Sequence, residues 1–484
     1  MDVDAFEHHL SSPQGEGSLP AGGFTATAGG ASCCDQISLG LAVDAGRVSD
    51  TGFQARGCPS ASAAASAAVT LARGAPLLSA ARIGAREIAA ELGGLSPGKL
   101  HAAELAADAL ARALGAAARS AAAPPWPAEG RTLVAMSGGV DSAVAALLCR
   151  QGSPTVAVTL ELWADEENDA ERSCCSASAV RQARALAHAM DLPHFTIDLR
   201  GEFRRGVVDK FIAGYARGET PNPCVGCNGH VRIDAMIELA DRLGCQWLAT
   251  GHYARLAEPE HERGPLLQLA ADPGKDQTYM LAALAPSSLG RMQFPLGELT
   301  KHAVRELAIA EGLPVASKPD SQDLCFLAGT DRGRFLARHG GIEERVGDIV
   351  DRHGRVLGRH RGQHHFTVGQ RRGLRIDGSG PLYVLDKSAA SNQVVVGSRR
   401  ELMRHHVRLR GVSLHRPSSR IDHVKLRYRS RALPARLSED LPPGSHRGAA
   451  IELRDPAEMG APGQLACLLD GELVVGWGTI AREQ

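Results

Sequence analysis

The amino-acid sequence predicts an α/β protein built around a doubly wound parallel sheet, with smaller domains on either side. Three observations lead to this fold class. Strand-like and helix-like segments alternate from Arg131 to about Gly329, two glycines follow the first apolar strand at Gly138 and Gly139, and short Gly-rich strands begin after about Thr330. Such alternation indicates parallel strands joined by helices, with a ligand at the carboxyl ends of the strands.

The length of the chain predicts several domains, because 484 residues exceed what one hydrophobic core spans. A Pro-rich segment at 121–130 predicts a linker that follows an N-terminal domain at 1–120. The strand–helix domain then occupies residues 131–329. The change of pattern predicts a small central domain at 330–400 and a C-terminal β-barrel at 401–484.

Charge is distributed unevenly along the chain, although the formal net charge is zero. Residues 331–450 contain 25 Lys and Arg against 11 Asp and Glu, whereas residues 1–330 contain 27 against 37. A basic surface in the C-terminal third favours a polyanionic partner. A solvated charged face is the alternative.

The start of the chain and the cysteine content indicate the compartment. The first residues are acidic and lack a signal pattern, and no stretch approaches the length of a membrane span. We therefore expect a cytoplasmic protein with no membrane partner. Its 11 cysteines are expected to be thiols, metal ligands or catalytic groups rather than structural disulfides.

Residues 137–142, Ser-Gly-Gly-Val-Asp-Ser, predict a phosphate-binding loop between an apolar strand and an Ala-rich helix. Two glycines at such a turn let the backbone approach a ligand, and the amides at the helix start attract anions. Asp141 is a candidate ligand for the counter-cation, Mg²⁺, and both serines are candidate donors to phosphate oxygens. The spacing matches neither the Walker loop nor the Rossmann fingerprint.

Cys224 and Cys227 form a Cys-x-x-Cys pair just before a predicted helix, and two prolines fix the loop that precedes it. A helix start stabilises thiolates. The pair is compatible with a zinc or iron–sulfur half-site, a redox dithiol, or a nucleophilic cysteine with a helper. A second Cys-x-x-Cys, which a closed four-thiolate zinc site needs, is missing from residues 131–329. Cys325 is a third candidate thiol near the end of the same domain.

Five motifs, in this order, resemble those of the bacterial tRNA-specific 2-thiouridylases. They are the phosphate loop, the cysteine pair within 222–228, Thr-Gly-His-Tyr at 250–253, Lys-Asp-Gln at 275–277, and residues 320–326 around Cys325. The resemblance extends from about Arg131 to the C-terminus. It implies the PP-loop fold of the ATP pyrophosphatases for the strand–helix domain.

The same resemblance implies an enzyme that thiolates the wobble uridine, position 34, of the tRNAs for Lys, Glu and Gln. ATP would adenylate the C2 oxygen of the uracil, with AMP and pyrophosphate as products. Sulfur from a persulfide would then replace the adenylated oxygen. The expected partners are tRNA and a sulfur donor such as a cysteine desulfurase or a sulfur-relay protein.

Matching the motifs residue by residue gives the implied site. Cys227 resembles the nucleophile of the family, and Cys325 its persulfide carrier, the two able to form a disulfide as the product sulfur is released. The implied ATP contacts are Ala135, Met136, Ser137, Gly138, Gly139, Val140, Asp141, Ser142, Leu160 and Gly251. The implied tRNA contacts are Asn222, Pro223, Cys224, His252, Lys275, Asp276, Gln277, Arg427, Tyr428 and Gln464.

A second sulfur-transfer mechanism uses the same cysteines. Some members of the family carry Asp where this chain has Cys224. Three thiols at Cys224, Cys227 and Cys325 would hold a [4Fe–4S] cluster whose unligated iron binds sulfide. The sequence favours the cluster slightly, because the disulfide cycle has no use for a third thiol.

Residues 1–120 resemble the iron–sulfur scaffold proteins of the IscU/NifU type. The resemblance depends on residues 32–35 (Ser-Cys-Cys-Asp), residues 52–58 (ending in Gly-Cys), an Ala/Ser-rich helix at 60–70, and residues 99–101 (Lys-Leu-His). It implies an α+β domain. Its implied ligands for zinc or a nascent cluster are Cys33, Asp35, Cys58 and His101, a mixed set that suits either.

The N-terminal domain departs from that family at Ala102, where the scaffold proteins place the cysteine that usually accepts sulfur. Cys34, which stands where the family has Gly, is a candidate replacement. The alternative is a degenerate scaffold that docks a sulfur donor, with Cys33 and Cys58 as plain buried thiols.

Two other functions compete with the enzyme hypothesis. A non-catalytic iron–sulfur scaffold that recruits tRNA would not need the phosphate loop, Cys227 and Cys325 together. An amide-forming synthetase of the ATP pyrophosphatase class would need a glutaminase domain or an ammonia source, and the sequence shows neither.

Overall fold

The computed structural model describes residues 3–29, 34–120, 130–165, 176–258, 264–320, 324–374, 376 and 380–482. Cys33, and all of the predicted linker except Gly130, lie outside these ranges. Within the ranges, no helix is long and apolar enough to cross a membrane.

The N-terminal part is an α+β unit in which a three-stranded antiparallel sheet packs against Ala-rich helices. Its elements are α1 (Val3–Ser11), β1 (Phe24–Gly29), β2 (Gln36–Asp44), β3 (Arg47–Arg56), α2 (Pro59–Ala72), α3 (Leu77–Ala80), α4 (Ala85–Glu91) and α5 (Leu100–Ala118). The strands pair in the order β1-β2-β3. Nearly all alanines of α2 and α5 are buried, so small side chains let these helices pack closely.

A parallel sheet of five strands forms the middle of the molecule. The elements of this part are β4 (Thr132–Ala135), α6 (Val140–Gly152), β5 (Thr155–Glu161), α7 (Ala177–Ala189), β6 (His194–Asp198), α8 (Arg200–Phe203), α9 (Asp209–Ala216), α10 (Pro223–Cys227), α11 (Ile233–Arg242), β7 (Trp247–Ala249), β8 (Arg255–Ala257), β9 (Leu266–Gln268), α12 (Thr278–Leu281), α13 (Pro286–Leu289), β10 (Met292–Gln293) and α14 (Lys301–Ala310). The sheet order is β10-β7-β4-β5-β6, with every pair parallel. Strand β5 is buried along its whole length, as expected for a strand covered on both faces. The predicted doubly wound sheet is confirmed.

The N-terminal domain packs directly on the edge strand β6. The backbone N–H of His194 donates to the carbonyl oxygen of Ala81 at 2.8 Å. A side chain at Gly115 on α5 would overlap the carbonyl oxygen of Thr196, so glycine permits this close approach. Buried residues of both domains belong to one hydrophobic cluster. An exposed sheet edge is thereby covered, and the N-terminal domain is docked rather than merely tethered.

The C-terminal third contains a four-stranded sheet and a β-barrel. Its elements are α15 (Arg332–Gly340), β11 (Gly347–Val350), β12 (Val356–His360), β13 (Tyr383–Ser388), β14 (Gln393–Gly397), α16 (Arg399–Leu402), β15 (Met403–Leu414), β16 (His423–Lys425), β17 (Leu433–Leu437), β18 (Gly444–Glu458), β19 (Leu465–Asp470) and β20 (Leu473–Ile480). Strand β15 pairs with both β18 and β20, which closes the predicted barrel. The hairpin β8–β9 of the preceding domain extends the barrel sheet at β20.

Two predicted elements differ in detail. The alternating run at 424–428 predicts a strand, but β16 ends at Lys425, because hydrogen bonds between Arg427 and Ser430 close a turn there. Within the strand–helix alternation, the sequence pattern at 203–216 predicts one helix, but a π-helical turn at Arg204–Val208 divides this segment between α8 and α9. A second π-helical turn, Asn228–Arg232, joins α10 to α11.

Candidate functional site

The phosphate loop connects β4 to α6 and is closed by its own serines. The N–H of Ser137 donates to the hydroxyl of Ser142 at 3.1 Å, and that hydroxyl donates to the carbonyl of Gly139 at 3.0 Å. Gly138 has φ +70°, and a Cβ there would lie 2.9 Å from the carbonyl oxygen of Ala179. The backbone therefore requires glycine at this position.

The residues expected to contact ATP gather at the carboxyl ends of three neighbouring strands. Met136 follows β4, Leu160 is buried near the end of β5, and Gly251 lies just after β7. A Cβ at Gly251 would lie 2.8 Å from the backbone of Asp141 and Ser142. The absence of a side chain thus lets the segment after β7 pack against the start of α6.

Asp141 is held by a tyrosine and a lysine. Its Oδ1 accepts from the hydroxyl of Tyr253 at 2.8 Å and from Nζ of Lys301 at 2.6 Å. Burial raises the pKa of Tyr253, and the neighbouring Asp141 carboxylate raises it further. The tyrosine is therefore a neutral donor at physiological pH.

Asp320 lies in a group of cations beside the same loop. Its carboxylate contacts Lys275 at 2.7 Å, Lys301 at 2.8 Å and Arg305 at 3.0 Å. Burial opposes ionisation, but hydrogen bonds from the two lysines lower the pKa of Asp320 to about 2. Lys318 donates to the carbonyl of Gly138 at 3.0 Å. Asp320 is the first residue of the motif at 320–326, but the motif predicted no role for it. No motif included Lys301, Arg305 or Lys318; the available signal was the i,i+4 spacing of Lys301 and Arg305 at a helix start.

The cysteine pair lies on α10, which begins with a cap. The side-chain oxygen of Asn222 accepts from the N–H of Cys224 at 3.1 Å, and Pro223 occupies the first helical position. Cys224 and Cys227 are three residues apart and share one face of the helix. Cys227 is buried, whereas Cys224 is half-buried.

Cys325 is positioned by the aromatic residue that follows it. The ring centroid of Phe326 lies 5.0 Å from that of Phe335 and 5.1 Å from that of Phe211. Cys227 is buried in a hydrophobic cluster that extends from the N-terminal domain to the barrel, and Cys325 is partly buried and packs against that cluster. Both cysteines, which are almost 100 residues apart in sequence, therefore contact the apolar interior of the protein.

Two of the residues expected to contact tRNA lie beside the cysteine loop. Gln464 of the barrel donates to the carbonyl of Thr220 at 2.7 Å. Burial raises the pKa of Tyr428, and Asp276 and Cys224 are close enough to raise it further. The barrel therefore forms part of the wall around Cys224.

Three other residues expected to contact tRNA have partners within the protein. Asp276 is buried and pairs with Lys425 of the barrel at 3.1 Å. The side-chain oxygen of Gln277 accepts from the N–H of Tyr253 at 3.0 Å. The Nδ1 atom of His252 lies 2.8 Å from the hydroxyl oxygen of Thr250. Burial lowers the pKa of His252 to about 3, so its imidazole is neutral. Lys275, also expected to contact tRNA, lies in the cation group around Asp320. Arg427 lines a separate cavity of about 330 Å³, together with Gln370 and Gln464.

The N-terminal domain brings three of the four predicted metal ligands together. Ligand atoms of Asp35, Cys58 and His101 all lie within 4.8 Å of one another, the only such group among the described residues. The backbone N–H of Cys58 lowers the pKa of the Asp35 carboxyl, and His101 lies 3.0 Å from the same carboxylate. A side chain at Gly57 would overlap Asp35. Oxygen, sulfur and nitrogen donors in this arrangement fit zinc or iron.

The metal group and Cys325 lie at opposite ends of α5. His101 is in the first turn of this 19-residue helix, which is about 28 Å long. Arg119, just beyond its last residue, forms an ion pair with α8 at 2.7 Å. On α8, Phe203 lies 5.9 Å from Phe326, the neighbour of Cys325. The docked domain therefore does not present its metal group to Cys325.

Three parts of the chain match known family models. Residues 3–122 match the NifU-like N terminal domain, residues 130–329 the tRNA methyl transferase HUP domain, and residues 333–398 the tRNA methyl transferase PRC-barrel domain. A protein of Rubrobacter xylanophilus named bifunctional protein NifU/MnmA is 44% identical, over 98% of this chain and 97% of its own length. The tRNA-specific 2-thiouridylase MnmA of Acidithiobacillus ferrooxidans is 42% identical over 73% of this chain and 99% of its own length.

Proposed function

Because this chain belongs to the bifunctional NifU/MnmA family, we propose that it is an ATP-dependent enzyme that thiolates C2 of uridine in tRNA. The proposed target is the wobble uridine, position 34, of the tRNAs for Lys, Glu and Gln. The observation that carries this proposal is the joint placement of the phosphate loop and the cysteine helix. Lys275 contacts Asp320 beside the phosphate loop, and the amide of Asn222, which caps the cysteine helix, donates to the sulfur of Met280 on α12, three residues after Gln277.

The first step is adenylation of the base. The C2 oxygen of the uracil attacks the α-phosphorus of ATP, N3 loses its proton, and pyrophosphate leaves. The start of α6 and its amides favour the negative charge of the phosphates. After adenylation, the C2 oxygen leaves as part of AMP, and the phosphate carries its negative charge. Adenylation therefore converts a poor leaving group into a good one.

The second step transfers sulfur. The outer sulfur of a persulfide on Cys325 attacks C2, the C2–O bond breaks, and AMP leaves. The thiolate of Cys227 then attacks the inner sulfur of Cys325. The base keeps the transferred sulfur and its bonding electrons, N3 regains a proton, and a Cys227–Cys325 disulfide remains. An external thiol reductant restores the two thiols, and a cysteine desulfurase or a sulfur-relay protein supplies the next sulfur.

Two cofactors fit the residues present. The Asp141 carboxylate lies beside the phosphate loop and pairs with Lys301. Its oxygens would hold Mg²⁺, which would neutralise negative charge on the phosphates during transfer. Cys224 is a half-buried thiol beside Cys227 on α10. A [4Fe–4S] cluster held by Cys224, Cys227 and Cys325 is therefore the second candidate for the source of sulfur.

The test is thiolation of tRNA by the anaerobically purified full-length chain. The protein is incubated with MgATP, cysteine, a cysteine desulfurase and tRNA transcripts, and 2-thiouridine is measured by nucleoside mass spectrometry. We expect C227S and C325S to abolish the product. C245S is the matched control, because burial raises the pKa of Cys245 to about 12. A transcript with cytidine at position 34 should remain unmodified.

Metal analysis of the same preparations separates the two sulfur sources. Iron and sulfide that disappear in C224A, together with a cluster signal in electron paramagnetic resonance, would support the cluster. Thiolation by an iron-free protein would support the persulfide on Cys325. A protein that binds tRNA and carries iron in the N-terminal domain, yet forms no 2-thiouridine, would instead be a non-catalytic scaffold.

A further inference from the structure

Four cations lie beside the phosphate loop: Lys275, Lys301, Arg305 and Lys318. Three of them converge on the carboxylate of Asp320, with distances of 2.7, 2.8 and 3.0 Å. The single negative charge of this carboxylate does not balance the three positive charges that contact it. The four cations outnumber the two carboxylates, Asp141 and Asp320, that contact them.

The cation group is connected to the loop by direct contacts. Lys301 bridges Asp141 and Asp320, at 2.6 and 2.8 Å. It stands at the start of α14, and Arg305 follows one turn later on the same face. The side chains of Lys301 and Asp320 are 12% and 22% exposed, so the group is sheltered but reachable from solvent.

We infer that Lys275, Lys301 and Arg305 form the binding site for the pyrophosphate part of ATP, and that Asp320 occupies this site as an internal competitor until nucleotide arrives. This inference rests on the proposed use of ATP. Carboxylate and phosphate oxygens accept the same charge-assisted hydrogen bonds from lysine and arginine. A polyphosphate offers more charge and more oxygens than one carboxylate, so it displaces Asp320.

The exchange has a consequence for the reaction. When the bond between the α- and β-phosphates breaks, negative charge develops on the leaving pyrophosphate. Cations already placed at that position stabilise the charge without reorganisation. After pyrophosphate departs, Asp320 again neutralises the three side chains, which favours release of the product.

The test is calorimetric titration of the full-length protein with inorganic pyrophosphate and Mg²⁺, in the absence of tRNA. We expect K301M and R305M each to weaken binding by about tenfold or more, the loss typical of one hydrogen bond to a charged group. K301R should stay within a few-fold of the unsubstituted protein. D320N should tighten binding several-fold, because the competing charge is removed. K210M, at an exposed lysine on α9, should change nothing.

Two outcomes would overturn the inference: unchanged binding in K301M and R305M, or a folded D320N that binds pyrophosphate no more tightly. D320S provides the same comparison if D320N does not fold. Failure of the proposed function gives a different result. In that case pyrophosphate binding changes in the variants as expected, but the protein forms no 2-thiouridine, so it has the binding site without the activity. If tRNA is thiolated normally but K301M, R305M and D320N all bind pyrophosphate as the unsubstituted protein does, the enzyme has the activity without this binding site.

Discussion

Arg112 of the N-terminal domain forms a bidentate ion pair with Glu161, at the carboxyl end of β5, with N–O distances of 2.6 and 3.2 Å. Glu161 is the residue after Leu160, one of the expected ATP contacts. Arg184 and Arg181 of α7 make a second set of ion pairs with the buried Asp108 of α5. The helix that begins at the metal group is therefore fixed to the strand that ends at the proposed nucleotide site.

We expect R112M to destabilise the protein by about 3 kcal/mol, because it leaves the Glu161 carboxylate buried without its partner. R119M is the matched control. The side chains of Arg119 and Glu202 are 37% and 43% exposed, and such a pair contributes less than about 1 kcal/mol. Urea unfolding followed by circular dichroism measures both variants. Equal losses for the two would show that the buried pair does not hold the domains together.

Local patterns predicted the phosphate loop, the strand and helix alternation and the scaffold-like ligands, because each depends on residues close together in sequence. Long-range pairs were not predictable in this way. Arg112 and Glu161 are far apart in the chain, and nothing in the sequence around either residue identifies its partner. Asp320 likewise acquires its cations from separate elements. The docking of α5 on β6 depends on Gly115, which resembles any other small residue of an Ala-rich helix.

We expect G251A to raise the KM for ATP by at least tenfold, with a smaller effect on the melting temperature. Its new methyl group would lie 2.8 Å from the backbone of Asp141 and Ser142, and backbone atoms have little freedom to move away. G152A is the control, since a Cβ there meets no atom within 4 Å. Steady-state kinetics at saturating tRNA measures the effect. An unchanged KM in G251A would show that the loop tolerates displacement.

The metal group gives a prediction that is independent of thiolation. We expect C58A and H101A to lose most of the zinc bound by the full-length protein, because each removes one of three converging ligands. Zinc affinity should also fall as the pH decreases, since protons compete for the thiolate and the imidazole. C149S is the control, because burial raises the pKa of Cys149 to about 12. Equal zinc contents in C58A, H101A and C149S would show that Cys58 and His101 do not bind the zinc.

Lys387 is a buried cation between the central domain and the loop that precedes the cysteine helix. Its ammonium donates to the carbonyls of Phe366 at 2.9 Å and Glu219 at 3.3 Å. Burial, reinforced by the neighbouring Arg332, lowers the pKa of Lys387 to about 7. An unfolded lysine titrates at about 10.4. Between these pH values the unfolded chain binds a proton that the folded chain does not, so this lysine makes stability increase as the pH rises from about 7 to about 10.

We therefore expect the free energy of unfolding of the unsubstituted protein, minus that of K387M, to increase with pH across this window and to be flat below pH 6. Other groups that titrate in the window cancel in the difference. K210M, at an exposed lysine, should give a flat difference throughout. Urea unfolding at a series of pH values measures all three proteins. A flat difference for K387M would mean that Lys387 stays protonated in the folded protein, with its charge satisfied by the two carbonyl groups.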